Sequence, residues 1–190
     1  MKTVVKHILD KYKSIYPEED LRVFTDFVEN STDKEIYDWN NFTGHIVASA
    51  FLYAKKEDRF LVLFHRDFGN YLYPGGHVDE TDLSPLDAAK RETIEETSIS
   101  DFKVISICDD ELVPIDIDTH YIKKNERLNL PIHYHFDFRY LFVVDQIEDV
   151  VVDPEESGDF KWIDIDELDS YVKSGPVVSK IRNLNLKEKL

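Results

Sequence analysis

Two short stretches of the chain carry residue types and spacings that can do chemistry. The first is Gly75-Gly76-His77-Val78-Asp79, and the second is Arg91-Glu92-Thr93-Ile94-Glu95-Glu96. On a helix, Glu92, Glu95 and Glu96 stand at i, i+3 and i+4, so all three project from one face. Three carboxylates side by side repel one another and destabilise the helix unless something compensates them. Hard divalent cations ligated through oxygen do so, and Mg2+ or Mn2+ is the natural occupant. Arg91, four residues before Glu95, is placed to hold one carboxylate still. The plain alternative is a solvated acidic helix face.

A second constellation lies further along. His133-Tyr134-His135-Phe136-Asp137-Phe138-Arg139-Tyr140 alternates without a break. In a strand, His133, His135, Asp137 and Arg139 share one face, and the aromatics share the other, which reads as core. Asp116, Asp118 and His120 alternate in the same way. Pairing of residues 115–122 with 133–140 as a hairpin would bring the polar faces together. Such a face can hold substrate phosphate, ribose or a second metal, with Arg139 suited to a bidentate phosphate contact. It can equally be a buried, satisfied His/Asp/Arg network that fixes the sheet. Arg66, His77 and Tyr73 are further candidates for substrate contact. For Arg66 the bland reading is a surface ion pair, and for Tyr71 and Tyr73 it is core filling. Trp39 and Trp162 are assigned to packing.

The elements that must position these groups read as follows. Residues 3–30 form two helices, the second expected to start at Pro17. Residues 46–53 and 59–65 form a strand hairpin around the turn 55–58, and 71–73 a short third strand. Ser84-Pro85-Leu86-Asp87 supplies an N-cap hydroxyl, Pro at N1 and an acid at N3, so a helix runs from there to about Thr97. Strands follow at 102–108, 115–122 and 133–145, then helices at about 165–173 and 176–187. This order describes an α+β layered domain.

The lead-in Leu72-Tyr73-Pro74-Gly75-Gly76-His77-Val78, with Gly76, Arg91, Glu92, Glu95, Glu96 and the closing apolar Ile99, resembles the Nudix hydrolase superfamily over residues 44–170. The resemblance is imperfect. Asp82 takes the first acidic position counted from Gly76, but eight residues then precede Arg91 where the pattern has seven, and counting back from Arg91 reaches Leu83. Thr93 replaces an apolar residue, and Ser98 replaces the glycine at the helix end, where a left-handed cap suits glycine better.

What the resemblance implies is a Nudix-type α/β/α sandwich around a mixed sheet. Residues 41–190 would be the domain and 1–40 an N-terminal helical extension. The implied reaction is Mg2+-dependent attack of water on a phosphoanhydride of an ADP-ribose-like substrate or a nucleoside triphosphate. Arg91, Glu92, Glu95 and Glu96 would carry the site, with the Gly76 carbonyl as a backbone ligand. A further glutamate is expected from the loop Pro154-Glu155-Glu156-Ser157. Glu156 is favoured as water activator or extra ligand, and Glu155 comes second. The chain is also similar to a Nudix subgroup with Asp-x-Asp-x-His followed by His-x-His-x-Asp-x-Arg. Pro114, fifteen residues past Ile99, matches a cue of ADP-ribose-cleaving members. A turnover-free ligand sensor and an isoprenoid diphosphate isomerase are the alternatives, the latter needing a catalytic cysteine that Cys108 is poorly placed to be. An alkaline rate optimum is expected, since water and its base must both be deprotonated.

Composition bounds the rest. The 23 Lys and Arg against 39 Asp and Glu leave a net charge of −16, which argues against duplex nucleic acid or an anionic membrane as partner. A small nucleotide-type diphosphate remains compatible, because a metal inverts the local field. At 190 residues and 42% hydrophobic, the chain is long and apolar enough for a sizeable core. The single cysteine excludes an intramolecular disulfide and a cysteine-based zinc site. No signal peptide or membrane span is read, so a cytoplasmic location is expected, with a homodimer as a further expectation.

Overall fold

The computed structural model describes every residue except 125, 127–129, 156, 173–174, 185 and 187–190. Its helices are α1 (Lys2–Ile15), α2 (Arg22–Asn30), α3 (Pro85–Thr97), α4 (Leu168–Tyr171) and α5 (Val177–Asn183). Its strands are β1 (Gly44–Ala54), β2 (Arg59–His65), β3 (Asn70–Leu72), β4 (Gly75–His77), β5 (Lys103–Val104), β6 (Asp116–Ile122), β7 (His133–Val144) and β8 (Ser157–Ile163).

All the strands join one mixed sheet around β1 and β7, which run parallel from Gly44↔Tyr134 to Ala54↔Val144. Two adjacent strands buried on both faces explain why β1 is apolar at almost every position. The other strands pair antiparallel: β2 and β4 with β1, β5 and β6 with β7, and β3 and β8 with β2. The expected hairpin of 115–122 with 133–140 is present, with Asp116 opposite Arg139 and His120 opposite His135.

Helices cover both faces, giving the α/β/α sandwich. Ile46, Ala48, Phe136 and Phe138 pack with α1, α2 and Leu86, Ala88 and Ala89 of α3. Phe24 and Phe27 of α2 stack on Phe136 at ring separations of 4.5 and 4.6 Å. On the opposite face Phe51, Tyr53, Leu141 and Val143 pack with Leu168, Val177 and Ile181 of α4 and α5. Lys180 of α5 ties the layers: its Nζ reaches Tyr12 at 2.5 Å, Glu19 at 2.5 Å and Asp116 at 2.6 Å. Among the described residues no helix is long and apolar enough to cross a membrane.

Two local expectations are corrected, and one strand is added. Helix α2 starts at Arg22, not at Pro17. Lys13 binds the carbonyls of Pro17 and Glu19, and the Asp20 carboxylate accepts from the Arg22 amide at 3.1 Å, so the intervening acids form a turn. The strand expected over 102–108 is only Lys103–Val104, because Ser106 Oγ donates towards the carbonyls of Cys108 and Asp110 and the chain turns there. Strand β8 lies where the residue pattern marks no strand. Its residues are mostly half-buried or exposed, as befits an edge strand, so it lacks a clear apolar alternation.

Helix α3 begins as its sequence dictates, with the Ser84 side chain accepting from the Asp87 amide. It ends on Ser98 in the left-handed conformation, φ 61° and ψ 7°. A non-glycine residue there costs about 1–2 kcal/mol, partly recovered because glycine loses more entropy on folding. Ser98→Gly is therefore expected to stabilise the protein by about 0.5–1 kcal/mol, read as a higher urea midpoint at unchanged m-value.

Candidate active site

Strand β4 and helix α3 build the first part of the site. Residues alternate along β4, so Gly76, opposite Ala48, faces α3, while His77, opposite Val47, faces the other side. The α3 carboxylates close up against the glycines. Gly75 N donates to Glu96 Oε2 at 2.8 Å, and Glu96 is buried. A Cβ on Gly76 would fall 2.6 Å from Glu92 Cδ and Oε1, so only glycine leaves room for that carboxylate. Glu95 lies outermost, its side chain 58% exposed.

Arg91 organises these groups. It donates to Glu92 at 2.8 Å, Glu95 at 2.9 Å, Asp82 at 2.9 and 3.3 Å, and the His77 carbonyl at 2.8 Å. Burial opposes its charge, but Asp82 and Glu92 outweigh burial and raise its pKa. The two counts of the loop are thereby resolved: Asp82 is the acidic residue that anchors Arg91. The extra residue is absorbed beside it, with Leu83 80% exposed. Thr93, at an apolar position of the pattern, is fully buried and satisfied by its own helix, donating to the Ala89 carbonyl at 2.7 Å.

A buried polar network occupies the opposite sheet face. Arg139 donates to Asp137 at 2.9 Å, Asp116 at 3.2 Å and Asp118 at 2.7 Å, and its side chain is 4% exposed. Burial works against its charge, yet Tyr73 and the three carboxylates raise its pKa. Asp137 also accepts from Ser49 at 2.7 Å and Tyr73 at 3.2 Å. Each guanidinium nitrogen of Arg139 therefore already meets a carboxylate, the pattern of a satisfied buried network.

Above the network sit five imidazoles. The ring of His45 lies 4.7 Å from that of His135, 4.9 Å from that of His133 and 5.0 Å from that of His77. The ring of His120 lies 5.7 Å from that of His135, and His120 Nδ1 meets Asp118 at 2.7 Å. Burial first, then neighbouring imidazoles, push His45 down to about 3 and His135 down to about 2, so both are neutral. No local sequence signal marks His45, because its partner His135 is 90 residues away and only the parallel register of β1 and β7 brings them together. Trp39, assigned to packing, is instead 56% exposed, 6.4 Å from the His77 ring.

The other candidates lie apart. Arg66 is exposed beyond β2 and donates to the Ser157 carbonyl at 3.3 Å. Tyr71 donates to Asp159 at 2.7 Å. Glu156 lies outside the described residues. Glu155 is exposed, its amide donating to Asp153 at 2.8 Å.

The sheet thus carries a glycine turn on β4 closed by the carboxylates of α3, inside an α/β/α sandwich. The NUDIX domain matches residues 43–181, and the chain belongs to that family. It is 38% identical over 101 residues to a probable DHNTP pyrophosphohydrolase of Lactococcus lactis subsp. cremoris (strain MG1363), covering 53% of this chain and 55% of the relative. It is 28% identical over 110 residues to an RNA pyrophosphohydrolase of Bartonella clarridgeiae, covering 53% of this chain and 60% of the relative. The chain thus spans little more than half the length of these curated relatives. The E. coli dihydroneopterin triphosphate pyrophosphohydrolase has the same fold, with a TM-score of 0.58 at 20% identity over 73% of this chain and 92% of that one.

Proposed function

We propose that the protein hydrolyses a phosphoanhydride bond of a small nucleotide-type substrate, with Mg2+ or Mn2+ as cofactor. The observation that carries this reading is the glycine cradle. Gly76 abuts the Glu92 carboxylate with no room for a side chain, while Arg91 gathers Glu92, Glu95 and Asp82 beside it. A set of carboxylate oxygens with a nearby backbone carbonyl suits a hard divalent cation. Glu92, Glu95, Glu96 and the Gly76 carbonyl would hold it. A cation there would supply charge neutralisation on the diphosphate and a lowered pKa for an attacking water.

The chain's own residues have distinct tasks. Arg91 is a positioning residue that fixes the direction of Glu92 and Glu95. Glu96 holds β4 against α3 through the Gly75 amide. Glu156 is proposed to accept the proton of the attacking water, with Glu155 in reserve. His77, His120 and exposed Trp39 border the polar sheet face, where a base or ribose would lie. His133 and His135 sit deeper, Tyr73 supports Asp137, and Arg66 is at the β8 edge.

Relatives named as pyrophosphohydrolases favour a triphosphate as the first substrate class to try, with ADP-ribose-like diphosphates second. A Mg2+-dependent screen of nucleoside triphosphates, ADP-ribose, sugar nucleotides and dinucleoside polyphosphates tests the reading. Turnover supports it and names the substrate class. A rearranged diphosphate would indicate an isomerase, although half-buried Cys108 points to the Asp110 carbonyl. Metal-dependent stabilisation without turnover would indicate a sensor. A cytoplasmic location belongs to the same proposal.

Gly76→Ala probes the cradle. The added methyl meets the flexible end of Glu92, so the carboxylate swings away and the fold survives. The expected result is a roughly 100-fold loss of kcat/KM with stability changed by less than about 1 kcal/mol.

A further inference from the structure

The imidazole cluster on the far sheet face has a geometry that hydrogen bonding alone does not satisfy. His135 Nε2 lies 3.1 Å from His45 Nε2 and 3.2 Å from His133 Nε2. The other nitrogens fix the tautomers of the flanking rings. His133 Nδ1 faces the Pro131 carbonyl at 2.8 Å, and His45 Nδ1 faces the Asn41 carbonyl at 3.4 Å. A carbonyl only accepts, so each Nδ1 carries the proton, and each Nε2 of a neutral ring presents a lone pair. Two lone pairs then converge on the single Nε2 of His135. One N–H there can serve one neighbour well, not both.

We propose that His45, His133 and His135 form a second metal site, distinct from the carboxylates of α3, for a borderline divalent cation of the Zn2+, Co2+ or Ni2+ class. Their ligand atoms lie within 4.8 Å of one another. A tetrahedral zinc with bonds of 2.0–2.1 Å would place its nitrogens about 3.3–3.4 Å apart, close to the two separations observed. Neutral imidazole favours these cations over Mg2+. Nδ1–H donated to a backbone carbonyl is the usual way a ligating histidine is oriented. All three ligands stand at the start of β1 and β7, with His45 in register with His135, so the site is built on sheet rather than loop. His45 and His133 are buried, whereas His77 is exposed beside them, its ring 5.8 Å from that of His135. The fourth position therefore opens toward His77 and solvent. The inference does not depend on the reaction proposed for the carboxylate site.

The test is a titration of the chelator-stripped full chain with Co2+ while excess Mg2+ occupies the carboxylates. One equivalent should bind with the intense visible bands of four-coordinate Co2+, and one equivalent of Zn2+ should bleach them. Glu95→Gln should keep the spectrum. His135→Ala and His133→Ala should each weaken binding at least about 100-fold, so either folded variant suffices. Absence of stoichiometric Co2+ binding to the wild-type chain overturns the proposal without any variant. Loss of the spectrum in Glu95→Gln, or its survival in the histidine variants, overturns it by placing the cation elsewhere.

Discussion

Arg139→Met is expected to destabilise the fold by about 3–5 kcal/mol, the largest stability effect of any single change argued for this chain. The guanidinium is buried against Asp116, Asp118 and Asp137, and removing it leaves three aspartates facing one another in a poorly solvated place. Partial compensation exists at each. Lys180 reaches Asp116, His120 reaches Asp118, and Ser49 and Tyr73 reach Asp137. Burial already raises the pKa of Asp116 despite Lys180 and Arg139, and losing Arg139 removes one of the two cations that oppose that rise. Burial also opposes ionisation of Asp118, but His120 and Arg139 together lower its pKa. Urea denaturation measures the effect. Adding Asp137→Asn to Arg139→Met should return part of the loss, because the uncompensated charge is what costs. If instead Arg139→Met left stability within about 1 kcal/mol and raised KM tenfold, the guanidinium would be a phosphate contact and not the hub of a network.

The sequence made some of these features readable because their causes are local. Ser84, Pro85 and Asp87 start α3 within four residues, and the glutamate spacing puts the carboxylates on one helix face whatever the rest of the chain does. The alternation of 133–140 fixed which side chains share a face, since period two admits no other answer in a strand. What could not be read depended on tertiary register. His45 joins His135 only through a parallel pairing that the sequence of β1 does not announce. Asp82 rather than Leu83 anchors Arg91 because the loop puts Leu83 into solvent, a choice made by burial and not by counting. Trp39 belongs by composition in a core, yet it stands exposed beside His77 where the turn after α2 leaves it. Pro17 would start a helix by propensity, but Lys13 captures the carbonyls just beyond it. Propensity loses wherever a side chain supplies the backbone with another partner.

Glu96→Gln is expected to abolish most turnover, lowering kcat/KM by about 100- to 10,000-fold, while the protein stays folded. The two halves of that expectation come from the same contact. Glu96 Oε2 accepts from the Gly75 amide at 2.8 Å, inside a buried junction between β4 and α3. Glutamine has the same shape and keeps an amide oxygen for that bond, so the junction should hold and the melting temperature should move by only a few degrees. The negative charge disappears, however, and with it one oxygen ligand of the strength a hard cation requires. A merely structural Glu96 would lose neither activity nor apparent Mg2+ affinity on this change. A cation-holding Glu96 should lose both, with the Mg2+ concentration for half-maximal rate rising well above the wild-type value. Glu95→Gln supplies the contrast: that residue is largely exposed and shares Arg91 with Glu92. Its loss should cost less, because the guanidinium can turn wholly to Glu92 and Asp82. Full activity in Glu96→Gln with unchanged Mg2+ dependence would remove α3 from the reaction and leave the acidic face a solvated one. A gradation, with Glu96 costing more than Glu95, is what the geometry of the cradle demands, since burial rather than charge count separates the two residues.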